Sequence, residues 1–166
     1  MRILGIDPGL NTTGYAVLDA ATSRPKLVEA GVVRSFEGRE KPDMAKRLRA
    51  LYDGVAEIVE QLKPTVMVVE QLYAHYKHPR TAILMGHARG VIYLAGAKSD
   101  LPVVSYSATR IKKTITGAGR ASKEQMQHAM LREFGLVKMP EPHDVADALA
   151  VALCHYHASR RTAEEA

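Results

Sequence analysis

Short apolar runs alternate with polar turns along the chain, and this pattern predicts five β-strands. The first run ends at the turn sequence Asp7-Pro8-Gly9. Residues 65–69 are apolar and β-branched, which is typical of a buried central strand. The predicted strands are residues 2–6, 14–18, 27–33, 65–69 and 102–106.

Longer segments carry apolar residues at three- and four-residue spacing, which predicts amphipathic helices. In the clearest of them, Asp43 can cap the start and Pro64 stops the helix. Ser122 and Gln125 form a capping-box pattern before another. The predicted helices are residues 43–63, 81–98, 109–116, 122–134 and 143–159, and residues 160–166 are predicted to form a disordered tail.

The order of these elements predicts an α/β fold. Three leading strands predict an antiparallel meander, and the later alternation of strands and helices predicts parallel strands joined by crossover helices. We therefore expect a mixed five-stranded sheet with helices on both faces. The chain of 166 residues is long enough for one domain with its own core, which we place at residues 1–159.

Four carboxylates interrupt otherwise apolar segments. Asp7 ends the first strand, Glu70 follows the fourth, and Asp144 and Asp147 begin the last helix. Taken singly, Asp7 suits a turn, and the other two aspartates complement a helix dipole. The carboxyl ends of neighbouring strands and the start of a helix can also meet at one point. We therefore predict a single acidic site built from all four residues.

The acids have no matching buried cations, and an unpaired buried carboxylate is costly. We predict that a metal ion supplies the missing positive charge. Oxygen ligands favour Mg²⁺ or Mn²⁺ over zinc, and the single cysteine, Cys154, cannot form a thiolate pair. Two such ions about 4 Å apart can activate water on one side of a phosphodiester and stabilise the leaving oxygen on the other.

The distribution of charge adds a polyanionic partner to this picture. The net charge is +5, and residues 71–123 hold nine of the 23 Lys and Arg residues against one acid, Asp100. A solvated basic face is the alternative interpretation. Because the bias directly follows a predicted acidic site, we favour nucleic acid as the partner. The lone cysteine and the absence of a signal-peptide pattern predict a cytoplasmic protein.

Aromatic and basic side chains are interleaved in the same segment. Tyr73 and Tyr76 follow Glu70 in a loop that also carries basic residues, where stacking on an unpaired base is expected. Lys112 and Lys123 lie on either side of a glycine-containing loop and are expected to hold phosphates. An ordinary surface tyrosine is the alternative for Tyr73.

Several motifs together resemble the RuvC-type Holliday-junction resolvases, from residue 6 to about residue 155. These motifs are Gly5-Ile6-Asp7-Pro8-Gly9, Val69-Glu70-Gln71, Gly86-His87-Ala88-Arg89-Gly90, Gly117-Ala118-Gly119, Lys123-Glu124-Gln125-Met126-Gln127 and Asp144-x-x-Asp147-Ala148-Leu149-Ala150. The resemblance implies an RNase H-like fold and a Mg²⁺-dependent endonuclease that nicks two symmetric strands of a four-way DNA junction. The catalytic, metal-binding acids of the family fall on Asp7, Glu70, Asp144 and Asp147. Its DNA-contacting residues fall on Tyr73, Lys112 and Lys123.

The resemblance also implies a homodimer that acts alongside the RuvA and RuvB branch-migration proteins. The loop at residues 74–80 and His143 depart from the family pattern. One alternative function is an actin-like or sugar-kinase-like ATPase, which also begins with a strand and an Asp-x-Gly turn but normally needs two such domains. A second is a non-catalytic junction-binding module, which would leave the four acids without a role.

A dimer also follows from the symmetry of a four-way junction. Two equivalent strands related by a two-fold axis are most simply cut by a C2 homodimer. The predicted helix at residues 81–98 is the candidate interface, and Gly86 and Gly90 would let two helices approach closely. We expect Ile83 and Leu84 to point outwards. The apolar surface of this helix is wider than the one stripe needed for the core, and it is formed by Ile83, Leu84, Val91, Ile92, Leu94 and Ala95. The alternative interpretation is a helix wholly buried within its own domain.

Overall fold

A computed structural model describes residues 1–72 and 79–164 of the chain, and these ranges contain five strands and five helices. The strands are β1 (Arg2–Asp7), β2 (Thr12–Asp19), β3 (Lys26–Arg34), β4 (Val66–Glu70) and β5 (Val103–Tyr106). The helices are α1 (Met44–Leu62), α2 (Pro79–Lys98), α3 (Ala108–Thr116), α4 (Lys123–Phe134) and α5 (His143–Glu164). In the described ranges, none of the helices combines the length and the apolar character that a membrane span needs.

The five strands form one mixed sheet in the order β3-β2-β1-β4-β5. The first three strands pair antiparallel as a meander, whereas β4 pairs parallel with both β1 and β5. This arrangement confirms the predicted sheet. Because Ile6 is paired with Val69 in the parallel register, Asp7 and Glu70 lie at the same end of two neighbouring strands.

Alternate residues of the central strands separate two apolar cores. On one face, Ile3 and Val68 are fully buried against residues of α5 such as Leu149. On the other face, Leu4 and Met67 are fully buried against α1 and α2. Successive side chains of a strand point to opposite faces, so a continuous apolar run can serve both cores. The prediction of helices on both faces is confirmed.

Helix α5 lies unusually close to the sheet because two glycines of β1 and β2 face it. A Cβ atom at Gly5 would lie closer than 3.0 Å to the main-chain oxygen of Ala148. A Cβ atom at Gly14 would lie equally close to the main-chain oxygen of Asp144. Any larger side chain at these positions would push the start of α5 away from the sheet.

The predicted helix caps are present. The Asp43 carboxylate accepts a hydrogen bond from the main-chain N–H of Lys46 at 2.9 Å. Ser122 and Gln125 form a reciprocal capping box at the start of α4. Such caps satisfy N–H groups that have no partner within the helix, which explains why both helices begin where the sequence predicts.

The predicted end of the last helix at Ser159 is wrong, because α5 continues to Glu164. Residues 160–164, which were expected to belong to a disordered tail, are therefore helical. The Arg160 side chain donates hydrogen bonds to the main-chain oxygen of Ser23 at 3.0 Å and to the hydroxyl of Tyr156 at 2.9 Å. Polar contacts of this kind leave no apolar periodicity in the sequence. The sequence pattern therefore gave no sign that the helix continues. Residues 165 and 166 lie outside the described ranges.

Helix α2 uses only part of its apolar surface within its own domain. Ile92 and Ala95 are fully buried. Leu84 packs against a small cluster around Leu51, so the expectation that it points outwards is wrong. Ile83 is 61% exposed and Leu94 is 51% exposed, which leaves an apolar strip of α2 facing outwards.

We predict that Gly5→Ala lowers the free energy of unfolding by about 1–3 kcal/mol, the usual cost of overpacking a core. The added methyl group would meet backbone of α5 rather than the flexible end of a side chain, so the helix itself must move. Chemical denaturation in urea measures the effect. An unchanged transition midpoint would show that α5 does not rest on β1 as closely as described.

Candidate active site

Four acidic residues meet at the edge of the sheet where β1 and β4 end. The alternation along β1 places Asp7 on the α5 face with Gly5, and the alternation along β4 places Glu70 on the same face with Val68. The close approach at Gly14, the pairing partner of Asp7, brings the first turn of α5 to the same edge. This turn carries Asp144, and Asp147 follows three residues later on the same face of the helix.

The electrostatic environment of Asp7 shows that the four acids share one site. Burial raises the pKa of Asp7, and the negative charges of Asp147, Glu70 and Asp144 raise it further, to about 8. Every cause of this shift has the same sign, so among the residues that the structure describes no cation offsets it. The structure therefore brings together all four acids that the sequence predicts.

Two of the other acids are partly balanced by cations. Burial and the Asp147 charge raise the pKa of Glu70, whereas Lys112 and Arg89 act to lower it. The pKa of Asp147 is also raised by partial withdrawal from water, although the residue as a whole is exposed. Lys123 acts against this shift. The negative charge is thus least compensated at Asp7, the innermost of the four.

The donor set fits a hard divalent cation. Carboxylate oxygens are the ligands preferred by Mg²⁺ and Mn²⁺, and a bound cation would relieve the repulsion that Asp7 experiences. Within residues 1–72 and 79–164, no three acid, imidazole or thiol side chains already form a group that could hold a metal ion. The nearness of the acids is instead seen in the pKa of Asp7, which the charges of the other three raise.

The two predicted phosphate-binding lysines lie beside the acids. Strand β5 ends at Tyr106, the pairing partner of Glu70, and α3 begins two residues later and carries Lys112. Lys123 is the first residue of α4, and its Nζ atom lies 3.4 Å from Nδ1 of His143. Both lysines line the same cavity as two of the acids, so cations and anions face one space.

This cavity lies between α3, α4 and α5 and has a volume of about 470 Å³. Its walls carry both polar and apolar side chains, and the apolar ones include Ile111, Met126 and Met130. A second cavity of about 230 Å³ is lined by Asp7 and by residues after β4 and β5. Glu70 borders both spaces. The larger volume falls in the range of pockets that hold nucleotide-sized ligands.

Some predicted residues cannot be placed, and one residue was missed. Tyr73 and Tyr76 lie in residues 73–78, outside the described ranges.

Arg89, which the sequence marks only as part of a motif, donates a hydrogen bond from Nη1 to the main-chain oxygen of Glu70. The spacing along the chain gives no signal for this contact, because 19 residues separate the two partners.

Comparisons with known proteins point to one family. The family model for crossover junction endodeoxyribonuclease RuvC matches residues 3–155. A protein of that name from Rhodopirellula baltica is 49% identical over 164 residues, which cover 99% of this chain and 90% of that protein. Another from Pelotomaculum thermopropionicum is 43% identical over 157 residues, which cover 95% of this chain and 93% of that protein.

A solved structure extends the similarity to three dimensions. RuvC of T. thermophilus in complex with a Holliday junction substrate is 28% identical in sequence and superposes with a TM-score of 0.89. The superposition covers 98% of this chain and 96% of that one. The shared architecture is the RNase H-like fold, and the matched region runs from β1 into α5, so it contains all four acids. The chain therefore belongs to the RuvC family of crossover junction endodeoxyribonucleases.

Proposed function

We propose that this chain is an endonuclease that resolves four-way DNA junctions by paired, symmetric nicking during recombination and repair. Members of its family are divalent-metal-dependent nucleases. The observation that carries the proposal is the uncompensated negative charge around Asp7, where three neighbouring carboxylates raise the pKa together with burial. A site of this kind, bordered by lysines, suits a metal-dependent attack on a phosphodiester.

Asp7, Glu70, Asp144 and Asp147 are the proposed metal ligands and catalytic residues. We propose that Mg²⁺ is the ion and that each site holds two, with Mn²⁺ as a possible substitute. Bound there, the ions would activate water and stabilise the leaving oxygen of the scissile phosphodiester. The acids themselves hold and orient the ions, which accounts for a carboxylate cluster that would otherwise only destabilise the fold.

Lys112 and Lys123 are the proposed phosphate contacts. They line the cavity next to Glu70 and Asp147, and each acts to lower the pKa of one of these acids. Their charges therefore serve two purposes, because they attract the DNA backbone and partly oppose the rise in the pKa of the neighbouring carboxylates. We propose that Tyr73 stacks on an unpaired base at the junction, from the loop that follows Glu70.

We also propose that the protein works as a cytoplasmic C2 homodimer, alongside RuvA and RuvB. The exposed side chains of Ile83 and Leu94 on α2 support an interface on this helix. Gly86 and Gly90 add to this support, since a Cβ atom at either position would meet no atom within 4 Å. Two active sites in one dimer could reach both symmetric strands of a junction in one encounter.

The direct test uses synthetic four-way junctions and matched linear duplexes, each with and without Mg²⁺. We expect paired nicks in the junction only, and only when the metal is present. Junction binding without any metal-dependent nick would identify a non-catalytic binding module instead. ATP hydrolysis by the isolated protein would favour the ATPase alternative.

We predict that Asp7→Asn, Glu70→Gln and Asp147→Asn each lower the rate of junction cleavage by several orders of magnitude, because each removes a metal ligand. Junction binding should persist, since the lysines hold the phosphates. Asp144→Asn should be milder, because the adjacent His143 can partly replace the lost ligand. Single-turnover cleavage and gel-shift binding measure the two effects. Cleavage at the wild-type rate in any of the first three variants would refute the metal assignment.

The stability of metal-free Asp7→Asn supplies the control for this experiment. The Asp7 carboxyl stays neutral in the folded protein up to about pH 8, whereas its ordinary pKa is 3.8. Its contribution to folding therefore becomes less favourable as the pH rises between these values. Thermal unfolding should show the variant gaining stability relative to the wild type over this interval. Inactivity then cannot result from unfolding.

We predict that Lys112→Ala and Lys123→Ala weaken junction binding and flatten its dependence on salt. Each lost phosphate contact should reduce the slope of log K against log salt concentration by about 0.9. Lys26→Ala is the matched control, because Lys26 lies on β3, at the edge of the sheet opposite β5. Fluorescence anisotropy over a range of salt concentrations gives the slopes. Slopes equal to that of the wild type in both variants would mean that the lysines do not touch DNA.

We predict that Ile83→Asp or Leu94→Asp separates a micromolar dimer into folded monomers, because it places a charge in the proposed apolar interface. Paired incision should then change to single, uncoupled nicks. Val137→Asp is the matched control, because Val137 is fully exposed and lies away from α2. Analytical ultracentrifugation measures the change. A wild-type monomer that still cuts both strands together would contradict the dimer proposal.

A further inference from the structure

We infer that Arg89 of α2 is a positioning residue that fixes Glu70 in the active site and so sets the affinity of the site for its metal ion. The inference rests on the proposed function, in which Glu70 is a metal ligand. Arg89 acts together with Tyr93 of α2 and Ser105 of β5, and we call these three residues the Arg89 bracket. The bracket approaches Glu70 from its main chain, so it leaves the carboxylate free for the metal.

The contacts of the bracket form a continuous path between two strands. Nη1 of Arg89 donates a hydrogen bond to the main-chain oxygen of Glu70. Nη2 donates to the hydroxyl of Tyr93 at 2.9 Å, and the guanidinium carbon lies 5.2 Å from the centre of the Tyr93 ring. The Tyr93 hydroxyl is in turn hydrogen-bonded to the Ser105 hydroxyl. Ser105 is the pairing partner of Val69, so the path returns to β4 one residue before Glu70.

Glu70 needs such support because it lies where the sheet stops holding its strand. The pairing of β1 with β4 ends at Ile6 and Val69, so Glu70 has no partner on β1 in this register. On the other side it is paired with Tyr106, and Gln71 donates a main-chain hydrogen bond to Tyr106 at 2.9 Å. Arg89 supplies a further anchor. Because these contacts hold the main chain of Glu70, they fix the point from which its side chain extends.

The positive charge of Arg89 also links this residue to Glu70. Arg89 is half-buried, and within residues 1–72 and 79–164 it forms no ion pair with a carboxylate side chain. A half-buried guanidinium placed in this way acts on the nearest part of the acidic cluster. Burial and Asp147 raise the pKa of Glu70, and Arg89 is one of two cations that oppose them, the other being Lys112. Lys112 lines the cavity, whereas Arg89 approaches Glu70 from its main chain.

Conservative substitutions can separate positioning from simple packing. Arg89→Lys keeps the positive charge, but an ammonium cannot reproduce the planar fork that spans the Glu70 oxygen and the Tyr93 hydroxyl. Tyr93→Phe keeps the ring and removes only the hydroxyl. Arg89→Gln removes the charge as well. The loss of a group that orients a metal ligand typically lowers metal affinity or activity about 10–100-fold.

The experiment measures Mn²⁺ affinity by calorimetry in the absence of DNA, and junction cleavage over a range of Mg²⁺ concentrations. We expect both affinities to fall about tenfold in Arg89→Lys and further in Arg89→Gln, with a smaller fall in Tyr93→Phe. High Mg²⁺ should restore most of the cleavage rate in Arg89→Lys. Junction binding with the metal chelated should stay within about twofold of the wild type, because the bracket lies behind the DNA-binding lysines.

Arg49→Lys and Tyr52→Phe are the matched controls, since both residues lie on α1, away from the acids. Neither should change the response to metal. If Arg89→Gln fails to fold, Tyr93→Phe decides the matter, and an unchanged Mn²⁺ affinity in that variant overturns the inference. Wild-type protein that neither binds Mn²⁺ nor cuts junctions would instead defeat the proposed function. Wild-type activity combined with metal affinities unaltered in all three bracket variants would defeat only the role of Arg89.

Discussion

The close contact between α5 and the first two strands is the constraint on which the rest of the structure depends. It requires glycine at positions 5 and 14, because a side chain at either would meet the backbone of α5. Small residues on the helix side, Ala148 and Ala152, complete the fit. The apolar middle of α5 holds the helix in place over β1, and the same contact delivers Asp144 and Asp147 to the end of the strand. The packing of α5 on the sheet therefore also assembles the acidic site.

The site built in this way opposes the stability of the fold that carries it. Burial and three neighbouring carboxylates raise the pKa of Asp7 to about 8, so ionising Asp7 carries a strong electrostatic cost. The two apolar cores on either side of the sheet offset this cost. A cluster with this property is expected where binding of a cation is part of the function, since the cation removes the repulsion only when it is bound.

Helix α2 combines three roles on one element. Ile92 and Ala95 pack into the core beneath the sheet, Ile83 and Leu94 remain exposed, and Arg89 reaches the end of β4. Residues three and four apart on a helix share a face, so Arg89 and Ile92 both face the sheet. Ile83 and Leu94 lie on the outward side of the same helix. The proposed dimer interface and the support of Glu70 are consequently only one helix diameter apart. Rigid packing of α2 against α1 and β5 keeps these sides in fixed relation.

The sequence by itself determined the class of fold and the five strands, and it marked four acids as candidate site residues, because apolar periodicity and misplaced charges are local properties. It also determined the caps at Asp43 and Ser122, where neighbouring residues satisfy one another. Only the tertiary structure decided that Leu84 faces inwards, that Arg160 prolongs α5 by binding Ser23, and that Arg89 holds Glu70. Each of these depends on a partner brought close by folding rather than by spacing along the chain. A pattern can show that a residue is apolar or charged, but only the packed structure shows what it meets.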